Sequence, residues 1–170
     1  VCSSDLGPAI EADVDAFRLA FNHHLICNQI IAQLLVPQMK AAGYGRIINV
    51  ISTSVKQPLP NLGVSNTIRG AVANWSKTLA MELGPFQITV NNVLPGATQT
   101  GRLAQIIHNK AEKTGKSDED VSHEMASEVP MKRLAQPQEI AAAIAFLASP
   151  AASYINGINV PVDGGRTLCL

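Results

Sequence analysis

In this 170-residue chain the side chains that combine a reactive type with a meaningful spacing fall in four places. Ser65 and Arg69 stand four residues apart in an apolar-periodic stretch, so a hydroxyl and a permanent cation share one helical face. A helix-capping serine and a structural arginine are the plain alternative. His23 and His24 face Cys27 at helical spacing. An imidazole there suits general acid work, with a hydrogen-bonded core histidine as the competing role. A metal site is not supported, because no carboxylate stands at ligand spacing. Ser52 closes a short β-branched run, and Pro95-Gly96 breaks a second one. Gly96 frees the backbone for close approach, and the Thr98 and Thr100 hydroxyls follow within one turn.

The elements that must position these groups alternate. Apolar residues recur at helical spacing from Glu11 to Ala42 (Val14, Phe17, Phe21, Leu25, Ile26, Ile30, Leu34, Leu35), with the end expected near Lys40. Arg46 to Ser52 is short and almost continuously apolar, the pattern of a strand buried on both faces. Val64 to Leu83 is helical, with Ala71, Trp75, Leu79 and Leu83 on one packing stripe and Gly84-Pro85 as its stop. Ile88 to Leu94 is a second buried strand. Ala97 to Pro130 is polar, and is expected to form one or two short amphipathic helices in a mobile flap without a continuous apolar face. Ser117 and Asp120 are placed to cap one of them. Pro137 opens a helix that runs to Ala148, and Ile158 to Val162 is a last strand leading into Asp163-Gly164-Gly165. Helices alternating with apolar strands predict an α/β fold with a parallel sheet. Three such strands make a poor independent sheet, so the pattern reads as the C-terminal half of a doubly wound, Rossmann-type domain.

Composition narrows the function classes. Lys plus Arg is 13 and Asp plus Glu is 13, which leaves no basic excess for nucleic acid or an anionic membrane. The longest aliphatic run, Ile140 to Ala148, is too short to span a bilayer. Cys2, Cys27 and Cys169 are odd in number and scattered, which suggests reduced thiols in a cytoplasmic setting rather than a disulfide framework. The chain opens without Met. Val1 to Leu6 reads like a translated sequencing adapter, so residues 7–170 are expected to be a partial domain truncated at its start.

Four blocks, in this order, resemble the short-chain dehydrogenase/reductase family, and its 3-oxoacyl-acyl-carrier-protein reductase-like members in particular. They are Gly45-Arg46-Ile47-Ile48-Asn49-Val50-Ile51-Ser52, Ile88 to Gly96, Arg133-Leu134 with Pro137 to Ser149, and Gly157 to Gly165. The resemblance implies hydride transfer between NAD or NADP and a small carbonyl, alcohol or acyl substrate. It also implies a homo-oligomer in the full-length protein. By the family's spacing, Ser52 fixes the substrate oxygen, while Pro95, Gly96, Thr98 and Thr100 border the cofactor. The family's catalytic Tyr falls on Ser65, its Lys on Arg69 and its relay Asn on His24.

Three of those four catalytic positions are therefore changed. Ser65 stops several ångströms short of a phenol's reach and is far less acidic than a phenol, whose reference pKa is about 10. Arg69 keeps a cation able to hydrogen-bond ribose or phosphate, but it is bulkier and planar. Two readings stay open: an oxidoreductase with a remodelled centre, or a nucleotide-, acyl- or partner-binding protein without redox turnover. The family's glycine-rich phosphate loop and the residue that chooses NAD or NADP are expected upstream of residue 1.

Overall fold

A computed structural model describes residues 7–169; the adapter-like opening lies outside the described residues. A 3-10 turn, Ala9–Glu11, precedes α1 (Val14–Phe21), which Asp13 caps by accepting a hydrogen bond from the Asp15 amide. A π-helical turn, Asn22–Ile26, joins α1 to α2 (Cys27–Ala42), and Gly43 ends α2 in the left-handed region at φ 61°. Then come β1 (Gly45–Val50), α3 (Gly63–Leu83) and β2 (Ile88–Pro95). The helices α4 (Gly101–Thr114), α5 (Asp118–Ser127) and α6 (Pro137–Ala148) lead to β3 (Asn159–Val162).

The strands form one parallel sheet in the order β1-β2-β3, with Gly45 opposite Ile88 and Asn92 opposite Asn159. The expected α/β class and parallel sheet are both present. Central β2 carries the core: Ile88, Val90, Val93 and Leu94 are fully buried, each worth about 1.5–3 kcal/mol relative to exposure. Ile88 and Val90 pack under α3 with Ala80 and Leu83. Val93 packs on the opposite face against Ile140 and Leu147 of α6. Helices on both faces are what a parallel sheet requires.

Asparagines fix the register. Asn49, Asn92 and Asn159 occupy one row across the three strands. Asn49 Nδ2 donates to Asn92 Oδ1 (3.2 Å) and to Ser76 Oγ of α3 (2.9 Å), and Asn92 Nδ2 donates to Asn159 Oδ1 (2.8 Å). A one-residue slip would break the whole row, so these polar groups specify pairing that apolar residues alone leave loose.

Four expectations change. The first helix is interrupted by the π turn, and most of its apolar stripe faces outward, with Val14, Ile30 and Leu34 exposed and only Ala20 and Ala32 buried. β1 is half-buried rather than buried on both faces, because it is an edge strand here and Val50 is exposed. On α3 the buried stripe is Val64, Ile68, Val72, Ser76, Ala80 and Leu83. Ala71, Trp75 and Leu79 only flank it, since the sheet sits one residue round from the expected face. Finally, residues 97–130 do have a continuous apolar face: Leu103, Ile107 and Ala111 of α4 meet Val121 of α5 and Leu134 in a separate small core.

Candidate functional site

The carboxyl ends of parallel strands are where open α/β sheets bind ligands, and Ser52 and Pro95-Gly96 stand at the ends of β1 and β2. β1 ends at Val50, and two residues on Ser52 caps a 3-10 turn, Thr53–Val55, by accepting a hydrogen bond from the Ser54 amide at 3.1 Å. That bond occupies Ser52 Oγ as an acceptor and leaves its proton to be donated outward. Beneath it, Ile51, Val72, Ala73 and Leu94 form a cluster joined by Leu25, the neighbour of His24.

The turn after Ser52 and the π turn that carries His24 both pack against α3, the helix that carries Ser65 and Arg69. All four residues are half-buried. The fold thus brings two chain-distant segments to the helix that bears the Ser65 and Arg69 pair. Both tyrosines lie elsewhere. Tyr44 precedes β1, at the opposite end of that strand from Ser52, and donates to the Ala148 carbonyl at 3.0 Å. Tyr154, in the loop before β3, is fully exposed.

At the end of β2, Pro95-Gly96 turns the chain away from the sheet. A Cβ on Gly96 would lie 2.7 Å from the Asp163 Cα, so only glycine lets this turn close on the end of β3. Thr98 Oγ1 donates to the Gly96 carbonyl at 3.1 Å and stiffens the turn. Thr100 caps α4, its Oγ1 accepting from the Leu103 amide at 3.3 Å. Space is open at Gly101, where a Cβ would meet nothing within 4 Å. The N-terminus of α4 carries the positive end of a helix dipole, which favours an anion such as phosphate, and Thr100 already caps its Leu103 amide.

The turn is braced from the side. The Gln99 amide donates to the Ala135 carbonyl and the Ala135 amide to the Ala97 carbonyl, each at 2.9 Å, and Gln136 Nε2 donates to Gln99 Oε1. Glu139 and Arg133 form a two-bond fork, and Glu139 also accepts from the Gln136 amide. The Arg133 hydrogen bond and that amide hold the Glu139 carboxyl down at about 2. At the end of β3, burial pushes the Asp163 carboxyl up, but hydrogen bonds from Thr167, Gly165 and Arg166 outweigh it and leave it lowered. Those bonds fold the C-terminal tail back over the sheet edge.

Two cavities border this edge. One of about 270 Å³ lies between Ala97, Arg133, Glu139 and Asp163 to Gly165. The other, about 250 Å³, is walled by Thr53, Gln57, Pro58 to Pro60, Glu128, Arg166 and Thr167. Ser52, Ser65, Arg69 and His24 line neither cavity.

Sequence reasoning missed Ser54, Asn66 and Arg166. The Ser54 hydroxyl and Asn66 Oδ1 are buried without a hydrogen-bond partner, beside Ser52 and Ser65 respectively. Asn66 Nδ2 holds the Leu59 carbonyl at 2.8 Å and so ties α3 to the second cavity's wall. Nothing in the residue types marks orphaned polar atoms; only the packing shows them. Among the described residues no group of three His, Cys, Asp or Glu is placed to hold a metal ion.

The matches to known proteins agree with this geometry. A family model described as enoyl-(acyl carrier protein) reductase matches residues 2–167. The NADPH-dependent reductase BacG of Bacillus subtilis is 39% identical over 127 residues, which are 75% of this chain and 49% of that protein. The chain spans about half the length of the first curated relatives it matches. L-sorbose reductase of Gluconobacter frateurii, solved with NADPH and L-sorbose, is 30% identical with a TM-score of 0.92, covering 99% of this chain and 65% of that one. The 3-ketoacyl-(acyl-carrier-protein) reductase of Brucella melitensis, solved with NADH, is 31% identical with a TM-score of 0.81, covering 96% and 63%. With the strand-end serine, the Pro-Gly turn and the closing Asp-Gly-Gly all on one sheet edge, and a family match along nearly its whole length, the chain belongs to the short-chain dehydrogenase/reductase family.

Proposed function

We propose that the protein is an NAD- or NADP-dependent oxidoreductase acting on a small carbonyl or alcohol, with a remodelled proton-delivery centre. The observation that carries this reading is the carboxyl edge of the sheet, where the Ser52 hydroxyl and the Pro95-Gly96 turn lie at the ends of adjacent strands. The residues present fit a nicotinamide dinucleotide. The Pro95-Gly96 turn with Thr98 and Thr100 suits the nicotinamide side and the adjoining phosphates, and Arg69 suits its ribose. When bound, that cofactor supplies or accepts the hydride.

The chain's own residues do the rest. Ser52, its oxygen already committed to the Ser54 amide, donates its proton as a hydrogen bond to the substrate oxygen and fixes it. Arg69 supplies permanent positive charge on the same helical face as Ser65. Ser65 is too short and too weakly acidic for the family's phenol role, so proton delivery passes to another group. His24 stands in the π turn packed on this helix and is the imidazole for that task. An NADPH-dependent relative and related reductases solved with NADPH or NADH support the cofactor class.

A second reading, a binding protein without redox turnover, is favoured by one observation: neither tyrosine stands near Ser52. Titration of the full-length protein with NADH and NADPH, followed by turnover on ketone, ketose and β-keto thioester substrates, separates the two. Binding with turnover supports the first; binding without turnover supports the second. Scattered thiols, with Cys27 and Cys169 free, fit a cytoplasmic setting. No helix of the described residues is long and apolar enough to cross a membrane. The exposed apolar side of α1 and α2 suits a second copy of the chain in a homo-oligomer.

A further inference from the structure

We infer that the 250 Å³ cavity beside Ser52 is a subsite for the hydroxyl-bearing part of the substrate, read by Arg166 and Glu128. It rests on the oxidoreductase reading only for the place of the reacting carbon. Thr53, the residue after Ser52, forms part of the cavity wall and is itself buried, so the space begins one residue along the chain from the group that holds the substrate oxygen.

The walls are fixed rather than pliable. Pro58 and Pro60 restrict the backbone of the loop on one side. The opposite side is the C-terminal tail. Asp163 accepts from the Gly165 amide at 3.0 Å and the Thr167 amide at 2.8 Å, and the Leu168 amide donates to Gln57 Oε1 at 3.1 Å. Arg166 is therefore anchored on both sides along the chain. Its side chain reaches Glu128 through a single bond, Nη2 to Oε2 at 2.8 Å, unlike the fork that joins Arg133 to Glu139.

That pair sets the chemistry. A guanidinium offers donors only and a carboxylate offers acceptors only, side by side on one wall. A hydroxyl both donates and accepts, so a polyhydroxylated chain satisfies both members. A free carboxylate on the substrate meets Arg166 but also the Glu128 charge. An alkyl or acyl chain would bury the ion pair against nothing polar, which is unfavourable. The cavity is also below the roughly 300–1,000 Å³ of sites for larger ligands, so it suits a few carbons rather than a long thioester arm.

Calorimetric titration of the full-length protein, with and without NADPH, tests the assignment using D-sorbitol, cyclohexanol and D-gluconate as probes. Hydrogen bonds to charged groups predict sorbitol binding at least about tenfold tighter than cyclohexanol. Arg166→Met should weaken sorbitol by about ten- to a hundredfold and leave cyclohexanol within about twofold. Glu128→Gln keeps the side chain's shape while removing its charge, so gluconate should tighten by about tenfold as repulsion disappears. Thermal melts confirm that each variant is folded, and Glu128→Gln carries the test if Arg166→Met is not. Preference for cyclohexanol, or sorbitol and gluconate affinities indifferent to both variants, would overturn the assignment. Arg166-dependent sorbitol binding without any turnover would uphold the subsite while defeating the redox reading; ketone turnover without sorbitol binding would do the reverse.

Discussion

Asn92 tests whether the sheet edge is held in place by the asparagine row. The Asn92 side chain is nearly fully buried and makes two hydrogen bonds, accepting from Asn49 at 3.2 Å and donating to Asn159 at 2.8 Å. Asn92→Leu keeps the volume close and removes both. Asn49 retains its bond to Ser76, so the principal orphan is Asn159 Oδ1. Two lost bonds at about 1 kcal/mol each, with a partial desolvation penalty at Asn159, give a destabilisation of about 2–4 kcal/mol. For a chain of this size that lowers the melting temperature by roughly 5–15 °C. A second substitution, Asn159→Val, removes the orphan, and the double variant should recover at least about 1 kcal/mol, because replacing both partners by apolar groups is close to neutral. Denaturant melts of the four proteins in this cycle give the coupling directly. A loss below about 0.5 kcal/mol for Asn92→Leu, or purely additive losses, would refute the claim that the row specifies register.

Ser65→Tyr combined with Arg69→Lys should raise carbonyl reduction at least about tenfold, within the 10²–10⁴ range of general acid catalysis, and change cofactor affinity less than turnover. If His24 delivers the proton, His24→Ala costs at least about tenfold in rate and removes a bend in the pH profile in the imidazole range. Helices α4 and α5 share their own small core, so hydrogen exchange should show them opening together, faster than β2, and slowing when NADPH is added. Uniformly slow exchange without ligand would contradict this. The Glu139 carboxyl, held at about 2 against an ordinary 4.5, contributes stability that is complete above pH 4.5 and is lost as the pH falls toward 2. The stability gap between wild type and Glu139→Gln, followed by thermal melts from pH 6 to 2, should close over that window.

Element type and order were legible because β2 and α6 have strong local patterns: a β-branched run broken by Pro95-Gly96, and Pro137 at a helix start. Faces were less legible. Which side of α3 meets the sheet depends on the helix's rotation over β2, and periodicity alone placed it one residue off at Ala71 and Trp75. The π turn at Asn22–Ile26 has no compositional mark, since its residues also suit an ordinary helix. The apolar face of α4 was hidden among Arg102, Gln105, His108 and Lys110, whose charge and polarity dominate the segment. At the site, Ser52 and the Pro95-Gly96 turn could be placed from their sequence blocks. Arg166 could not, because its role comes from a tail folded back by Asp163 and from a glutamate 38 residues away.

Hydride transfer itself is the most direct test. The full-length protein is incubated with NADPH or NADH carrying deuterium at the transferable C4 position of the nicotinamide, together with a ketose. The alcohol product is then analysed by mass spectrometry and NMR. The account predicts one deuterium on the former carbonyl carbon, with formation slowed by Ser52→Ala through loss of the donor that the Ser54 amide holds in place. Tight cofactor binding with no deuterium in any product would contradict it and leave this sheet edge as a binding site alone.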